Sequence, residues 1–567
     1  MRALTCVKNR FKDLIPVLPL AAVFFLALLC VGLFHELHSG VFSIVLCVIL
    51  IVLYASRGEI KLYINFTSVS VFVIVISYAL TAIWANDRGE AVIGFVKFLP
   101  ALLFLVLTMQ YDEPSKRILS ALPHFAVFSV IVSAALMHVP VLEGYFSVAG
   151  RLSGFFEYPN TFALFSLISL LIILTEKKSG LVGYIESAIL IFGILYSGSR
   201  IVFALAAVSI AAALIISRRK KAALVLIPTA TLSVAGIAVY SSVTGEIGAI
   251  SRFLTTSFGA STFVGRILYY LDALPVILKH PLGSGYLSYY LTQSSFQRGV
   301  YSVRYLHNDI LQFAFDIGWI PALLFIGLMA YHVFKKGTSA GRRLILLVFF
   351  AHMLFDFDIQ FTAMFFLLLL LTDDRGGREI SLKNPSFSAL PIASALFASY
   401  MTLSLAFSLA GNNALSAKIF RHNTENNISL MLTMDADGRE DVADLIISDN
   451  DMIHSAYSVK AAAAFSKGDF LNVIENGKRS LELAPYDYDE YSTLSYMITY
   501  GISLYEKNGD VYSAEYCKEA LLDVADMFDS AKKNLHPLAD KIKDTFEDSL
   551  PEDIDSYITA LREERTK

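Results

Sequence analysis

Charge is what this sequence has little of. Only 17% of its 567 residues are Asp, Glu, Lys or Arg, where soluble domains carry roughly a quarter, and 55% are hydrophobic. At a mean hydropathy of +0.58 the chain is too apolar for a water-soluble globule. Cysteine is scarce as well. Cys6, Cys30 and Cys47 lie near the amino end and Cys517 stands alone towards the other. None belongs to a CxxC or Cys/His set, which argues against structural zinc and against a disulfide framework. No P-loop, G-x-S-x-G, H-E-x-x-H or dinucleotide fingerprint occurs in a suitable context, so ATP-driven transport and the common hydrolase mechanisms find no support.

What is present is a series of apolar runs near the ~20 residues that cross a hydrocarbon core. They fall at about 15–35, 41–55, 67–84, 91–109, 118–138, 161–175, 181–197, 200–217, 222–241 and 309–334. A longer stretch follows at 343–372, and a last one at 387–410. The amino terminus, with Arg2, Lys8, Arg10 and Lys12 before an apolar run from Ile15, reads as an uncleaved first helix rather than a signal peptide. With that terminus inside, Arg57, Lys61, Lys116, Arg117, Lys177, Lys178, the run 218–221, Lys335, Lys336, Arg342 and Arg343 all fall on the cytoplasmic side, as the positive-inside rule requires. The stretch 343–372 would be ~45 Å long as one helix, too long for one crossing, and both its ends carry basic residues. Two short spans meeting outside near 352–360 resolve this. The expected fold is therefore all-α: a polytopic bundle of about 12–13 spans over 1–410, with a large outer loop at about 242–308 and a soluble helical tail, 411–567, outside the cytoplasm.

Charge is unevenly divided between these parts. Residues 1–410 hold 30 Lys+Arg against 20 Asp+Glu, net +10, and residues 411–567 hold 16 against 30, net −14. Within the tail, 457–485 has the spacing of a tetratricopeptide-like helical hairpin. Lys460, Ala461 and Ala464 lie on its first helix, Gly468 and Asp469 at the turn, Phe470 at the start of the second helix, and Pro485 ends it. A second pair through 491–505 and 514–528 is expected. One unit is short of a solenoid, so an ordinary small helical domain is an equal reading.

Basic residues on an outer face need a reason. The segment 242–308 contains Arg252, Arg266, Lys279, Arg298 and Arg304, then His307, Asn308 and Asp309 where the chain re-enters the membrane. Guanidinium forks match phosphate oxygens and do not deprotonate; the bland reading is pairing with lipid headgroups or with acids of the tail. Arg200 follows Ser197–Gly198–Ser199 at an outer boundary, where snorkelling is the alternative to ligand binding. Arg151 stands before Glu157–Tyr158–Pro159–Asn160, with Asn160 a candidate cap for the next span. His307 has the pKa range of a general base, or is a satisfied structural histidine. Asp356–Phe357–Asp358 near His352 has the D-x-D form used for divalent metals, a pattern common by chance.

Five segments together resemble the O-antigen ligase and polymerase superfamily of bacterial envelopes. Arg151–Leu152–Ser153–Gly154 with Pro159–Asn160–Thr161–Phe162–Ala163 is similar to its R-x-x-G and P-N-x-x-A pattern, and Ser197–Gly198–Ser199–Arg200 to its S/T-x-S-R. Gly265–Arg266 with Pro281–Leu282–Gly283–Ser284–Gly285 looks like its G-R and P-L-x-G-x-G segment. His307–Asn308 followed by Gly318–Trp319–Ile320–Pro321 resembles H-N-x9-G-x-x-G, with Pro321 in place of the last glycine. His352–Met353–Leu354–Phe355–Asp356–Phe357 is similar to H-x-L-x-D-F. The match covers about 150–360.

The resemblance implies a metal-independent, inverting glycosyl transfer without a cofactor, on the outer face of the bacterial cytoplasmic membrane. The donor it implies is a glycan on undecaprenyl pyrophosphate, and the acceptor a hydroxyl on a lipid, another glycan or a protein. By motif position, Arg200 and Arg266 would hold the pyrophosphate and His307 would take the acceptor's proton, with Arg151, Asn308 and Arg304 on the substrate side and Asn308 orienting the imidazole. A repeat-unit polymerase, a lipid-linked-glycan flippase or transporter, and an assembly factor remain as alternatives. The tail would bind an acceptor, a partner protein or the basic outer loop. No nucleic-acid partner is expected.

Overall fold

A computed structural model describes residues 14–176, 180–218, 226–236, 239, 261–435 and 438–566. The amino-terminal basic cluster, Lys177, Lys178, most of the run 218–221 and Arg252 lie outside the described residues. The fold is all-α apart from two short strand pairs. Among the described residues five helices are long and apolar enough to cross a membrane: Glu36–Arg57, Arg88–Thr108, Pro114–Leu136, Arg200–Ser217 and Ala389–Leu409. Shorter apolar helices, among them Phe66–Thr81, Pro159–Glu176, Leu181–Tyr196 and Trp319–Phe334, pack with them. Their outward faces keep large apolar side chains exposed, such as Ile215, Phe334 and Leu390, as a lipid-facing surface would. Local chemistry sets the helix starts. Asn65 and Ser68 form a reciprocal capping box before Phe66–Thr81, and Asp87 accepts from the Glu90 amide at 2.9 Å to begin Arg88–Thr108.

The bundle has two chemically different ends. At one, strands Ile60–Ile64 and Arg378–Leu382 pair antiparallel, with Ile60 opposite Leu382. Lys61 meets Glu379 at 3.1 Å, Lys335 meets Asp374 at 2.7 Å, and Arg375 donates to the Thr108 carbonyl at 3.0 Å. Arg57, Lys61, Lys335, Arg342 and Arg343, assigned to the cytoplasm by charge, gather here. The stretch 343–372 is a hairpin, as its length demanded. Helices Ala340–Met353 and Thr362–Leu371 are joined by a turn at 354–361, and Arg342 near the start of the first donates to the Leu371 carbonyl of the second at 3.1 Å. The tip of that hairpin lies at the opposite end.

Two expectations need correcting. The segment 309–334 is not one span but two helices, Asp309–Ile317 and Trp319–Phe334, broken at Gly318. Gly318 takes φ of 90°, and a Cβ there would sit 2.5 Å from the Pro281 carbonyl oxygen. Gly283 takes φ of 86°, and its Cβ would lie 2.4 Å from the Asp316 carbonyl oxygen. The two backbones are clipped by Ser284 N–H to Phe315 O (2.7 Å), Gly285 N–H to Asp316 O (2.9 Å) and Trp319 N–H to Pro281 O (3.0 Å). Close approach is why both positions are glycine. Pro321 falls in the first turn of its helix, where it costs no hydrogen bond. The outer segment is not simply a loop either: Ser261–Lys279 is a helix that carries Arg266.

The tail is helical throughout its main segments. His454–Ser466 and Phe470–Leu483 form the expected hairpin, turning at Gly468 (φ 72°) with Asp469 capping the second helix. Tyr488–Lys507 and Val511–Lys533 follow, turning at Gly509 with Asp510 as cap. Two earlier helices, Thr424–Thr433 and Arg439–Asp449, were not legible from the spacing. Their Met431, Ala443 and Ile446 belong to the same hydrophobic core as the membrane helices, whereas Phe470, Val473, Leu494, Leu521 and Phe528 build a second core.

Gly318→Ala should destabilise the protein by on the order of 2 kcal/mol or more, because left-handed strain and a backbone clash add. The measurement is the unfolding midpoint of purified protein in detergent; an unchanged midpoint would contradict the clip.

Candidate active site

Three stretches of chain far apart in sequence converge on one carboxylate. Asp356 sits in the tip of the 340–371 hairpin with its side chain fully buried. Its Oδ1 accepts from the Tyr158 hydroxyl at 2.9 Å and from the Phe357 amide at 3.1 Å, and lies 3.2 Å from His307 Nδ1. Its Oδ2 accepts from Asn160 Nδ2 at 2.7 Å and from Arg266 Nη2 at 3.4 Å. Arg266 also donates to the Phe355 carbonyl. Asn160 is not the helix cap: Pro159 opens the helix, and the Asn160 amide links Asp356 to Arg151, whose Nη2 donates to Asn160 Oδ1 at 2.9 Å. Arg151 Nε in turn donates to the Ser197 carbonyl at 2.8 Å. That contact carries the network to the turn before Arg200, the half-buried first residue of Arg200–Ser217.

His307 occupies a strained position. Its φ of 53° is left-handed, a conformation that costs a bulky residue about 1–3 kcal/mol unless its surroundings enforce it. They do so from both sides. The Leu306 amide donates to Gln312 Oε1 at 2.9 Å, and Tyr270 donates its hydroxyl to the His307 carbonyl at 2.6 Å. Asn308 caps Asp309–Ile317, accepting from the Ile310 and Leu311 amides at 3.0 Å, and its Nδ2 reaches the Leu354 carbonyl at 3.0 Å. Asn308 thus fixes the backbone that carries the imidazole. The ring stands 4.8 Å from that of Phe357, with about a fifth of the side chain exposed.

Arg304 is placed elsewhere. It bridges Glu425 of the tail (Nη2 to Oε2, 3.0 Å) and Glu36 (3.4 Å), and lies over the Tyr290 and Tyr305 rings. The acidic tail therefore does contact the basic outer segment. His352 and Asp358 form a separate buried pair at 2.5 Å, with Thr161 on the second Asp358 oxygen at 2.9 Å. The two carboxylates of the D-x-D form serve different partners, and the described residues contain no His/Cys/Asp/Glu group placed to hold a metal.

Electrostatics couples the pair at the centre. Burial pushes the Asp356 carboxyl up, but Arg266 and then His307 outweigh it and hold the group well below the usual carboxylate range. Burial and then the Arg266 charge push the His307 imidazole down, against the pull of Asp356. Asp356 is thus ionised and accepts from Nδ1–H, which leaves Nε2 as the basic nitrogen. The centre has a buried carboxylate that orients an imidazole, the relation found wherever an acid fixes a base's tautomer, with a guanidinium beside it. Sequence reasoning weighed Asp356 as a metal ligand and Asn160 as a helix cap, quoted Tyr158 only within a motif, and did not single out Tyr270. The signal was there: four of the five motifs, through Asn160, Arg266, His307 and Asp356, supply the groups that meet.

Residues 185–326 match the family model described as O-Antigen ligase. Arg200, Arg266, Arg304, His307 and Asn308 lie inside the matched segment, while Arg151 and Asp356 lie outside it. No curated protein matches the chain.

In histidine-labelled protein followed by NMR, His307 should titrate below the ordinary ~6.5 of imidazole, so that its neutral form persists to lower pH. In Asp356→Asn the pull on the proton is removed and the transition should move lower still; an upward move would contradict the pairing.

Proposed function

We propose that the protein is a glycan ligase that transfers a glycan from undecaprenyl pyrophosphate to an acceptor hydroxyl on the outer face of the bacterial cytoplasmic membrane. The observation that carries this reading is the pairing of His307 with ionised Asp356 beside Arg266, with His307 and Arg266 both inside the segment that matches the O-Antigen ligase family model. In the proposed reaction His307 Nε2 removes the acceptor's proton as its oxygen attacks the anomeric carbon. The bond from that carbon to the phosphate oxygen breaks with inversion, and the electron pair leaves on the pyrophosphate. Asp356 stabilises the imidazolium that forms. Arg266 and Arg200, with Arg151 behind them, offset the charge that builds on the leaving group, a role metals fill elsewhere. Arg266 spends two of its five N–H donors on Phe355 and Asp356, so its fork remains able to meet a phosphate. Asn308 acts by positioning.

The loop end would face away from the cytoplasm, because the basic residues gather at the sheet end. The tail, tied to the loop end through Glu425 and read as tetratricopeptide-like, would then be extracytoplasmic too. A repeat-unit polymerase of the same superfamily would use the same centre with a lipid-linked acceptor.

The test is donor consumption by purified protein with chelator present. His307→Ala should lower acceptor-dependent release of glycan by about 10²–10⁴-fold, and Arg266→Ala by about 10²–10³-fold. Equal activity in all three proteins, or loss of parent activity on chelation, would contradict the mechanism. Growth of lipid-linked chains from donor alone would mark a polymerase.

A further inference from the structure

Between the outer segment and the tail lies a cleft of about 650 Å³ that the transfer chemistry does not use. One wall is the 290–302 stretch of the ligase domain, the other comes from tail residues 484–489 and 544–547. The walls are tied directly. The His536 amide donates to the Arg298 carbonyl at 2.9 Å, and Val300 pairs with Asp544 in an isolated bridge. Tyrosine rings come from both sides, Tyr290 and Tyr301 from one, Tyr486 and Tyr488 from the other. Buried atoms at the cleft lack partners among the described residues, namely Gln297 Oε1 and His454 Nδ1. The charge is of one sign: Asp487, Asp489, Asp544 and Glu547 line the cleft, and no Lys or Arg is among its described lining residues.

Aromatic faces with a few unspent acceptors and hydroxyls are what a sugar chain needs, since each pyranose has an apolar face and a polar rim. An all-acidic rim excludes the pyrophosphate donor and any anionic polymer, and accepts neutral or amino sugars. The cleft also leads towards the reacting centre. The Tyr301 ring lies 4.5 Å from that of Tyr269, which lies 6.4 Å from that of His307.

From this we propose that the cleft between ligase domain and tail is the binding subsite for an acceptor glycan of neutral or amino sugars, holding its non-reacting residues while its terminal hydroxyl reaches His307. This rests on the transferase reading above and adds to it the class of acceptor. The tail is then half of the acceptor site.

The test uses full-length protein in detergent and the oligosaccharides that mild acid releases from the host's own envelope, separated into neutral and anionic fractions. The neutral fraction should bind the parent protein and His307→Ala alike, and at least tenfold more weakly to Tyr488→Ala, which removes a stacking face. Ser302→Trp, at an exposed lining position where the fold has room, should block the cleft and give the same loss without emptying any core. Both variants should raise the acceptor KM and leave donor binding unchanged. Binding that neither variant weakens, binding confined to the anionic fraction, or no binding by the parent would overturn the subsite. Donor consumption by the parent, lost in His307→Ala, is read separately, so failure of the cleft and failure of the transferase reading remain distinguishable.

Discussion

The loop end of this molecule is organised around one charge taken out of water. An ionised carboxylate buried without partners costs several kcal/mol even after relaxation, so Asp356 is tenable only while its oxygens stay occupied. Five groups do this: the Tyr158 hydroxyl, the Asn160 amide, the Phe357 N–H, the Arg266 guanidinium and the His307 imidazole. They come from the 158–160 turn, the 261–279 helix, the re-entry before residue 309 and the hairpin tip. Satisfying one acid therefore fixes the relative position of all four. The strained backbone at His307 follows from the same demand, since the helix cap at Asn308 and the contact of Tyr270 hold the ring where the carboxylate can reach it.

Much of the architecture is legible in the sequence, and the reasons are physical. Lys and Arg avoid one side of a membrane, so Arg57, Lys61, Lys335 and Arg342 marked one end of the bundle, and the structure gathers them there. Length and the basic residues at both ends together split 343–372, because no single crossing fits thirty residues or returns to the side it started from. What charge and length cannot register is close backbone approach. The break at Gly318 depends on a chain segment 35 residues earlier, around Gly283, passing within contact, and an apolar run reads the same with or without it.

The site was legible in its parts but not in its centre. His307, Arg266 and Arg151 stand out as ionisable groups in costly places. Asp356 stands out equally, yet the neighbouring Asp358 suggested a metal pair. Only the structure shows the two side chains diverging, one to His307 and one to His352. Alternation along an irregular turn is not readable from spacing, because such a turn has no fixed period. Arg304 misled in the other direction. Its charge suited a phosphate, but the acid that claims it, Glu425, lies in the tail across more than a hundred residues of chain.

The strand pair at the sheet end of the bundle bears on how the molecule is made. Ile60–Ile64 can find its partner only when Arg378–Leu382 has left the ribosome, more than three hundred residues later. The same is true of Tyr158 and Asn160, which wait for Asp356. Both ends of the bundle are thus closed by the same late-emerging hairpin and the strand behind it. Until then neither the strand pair nor the Asp356 contacts can hold the earlier helices, which rely on packing against one another.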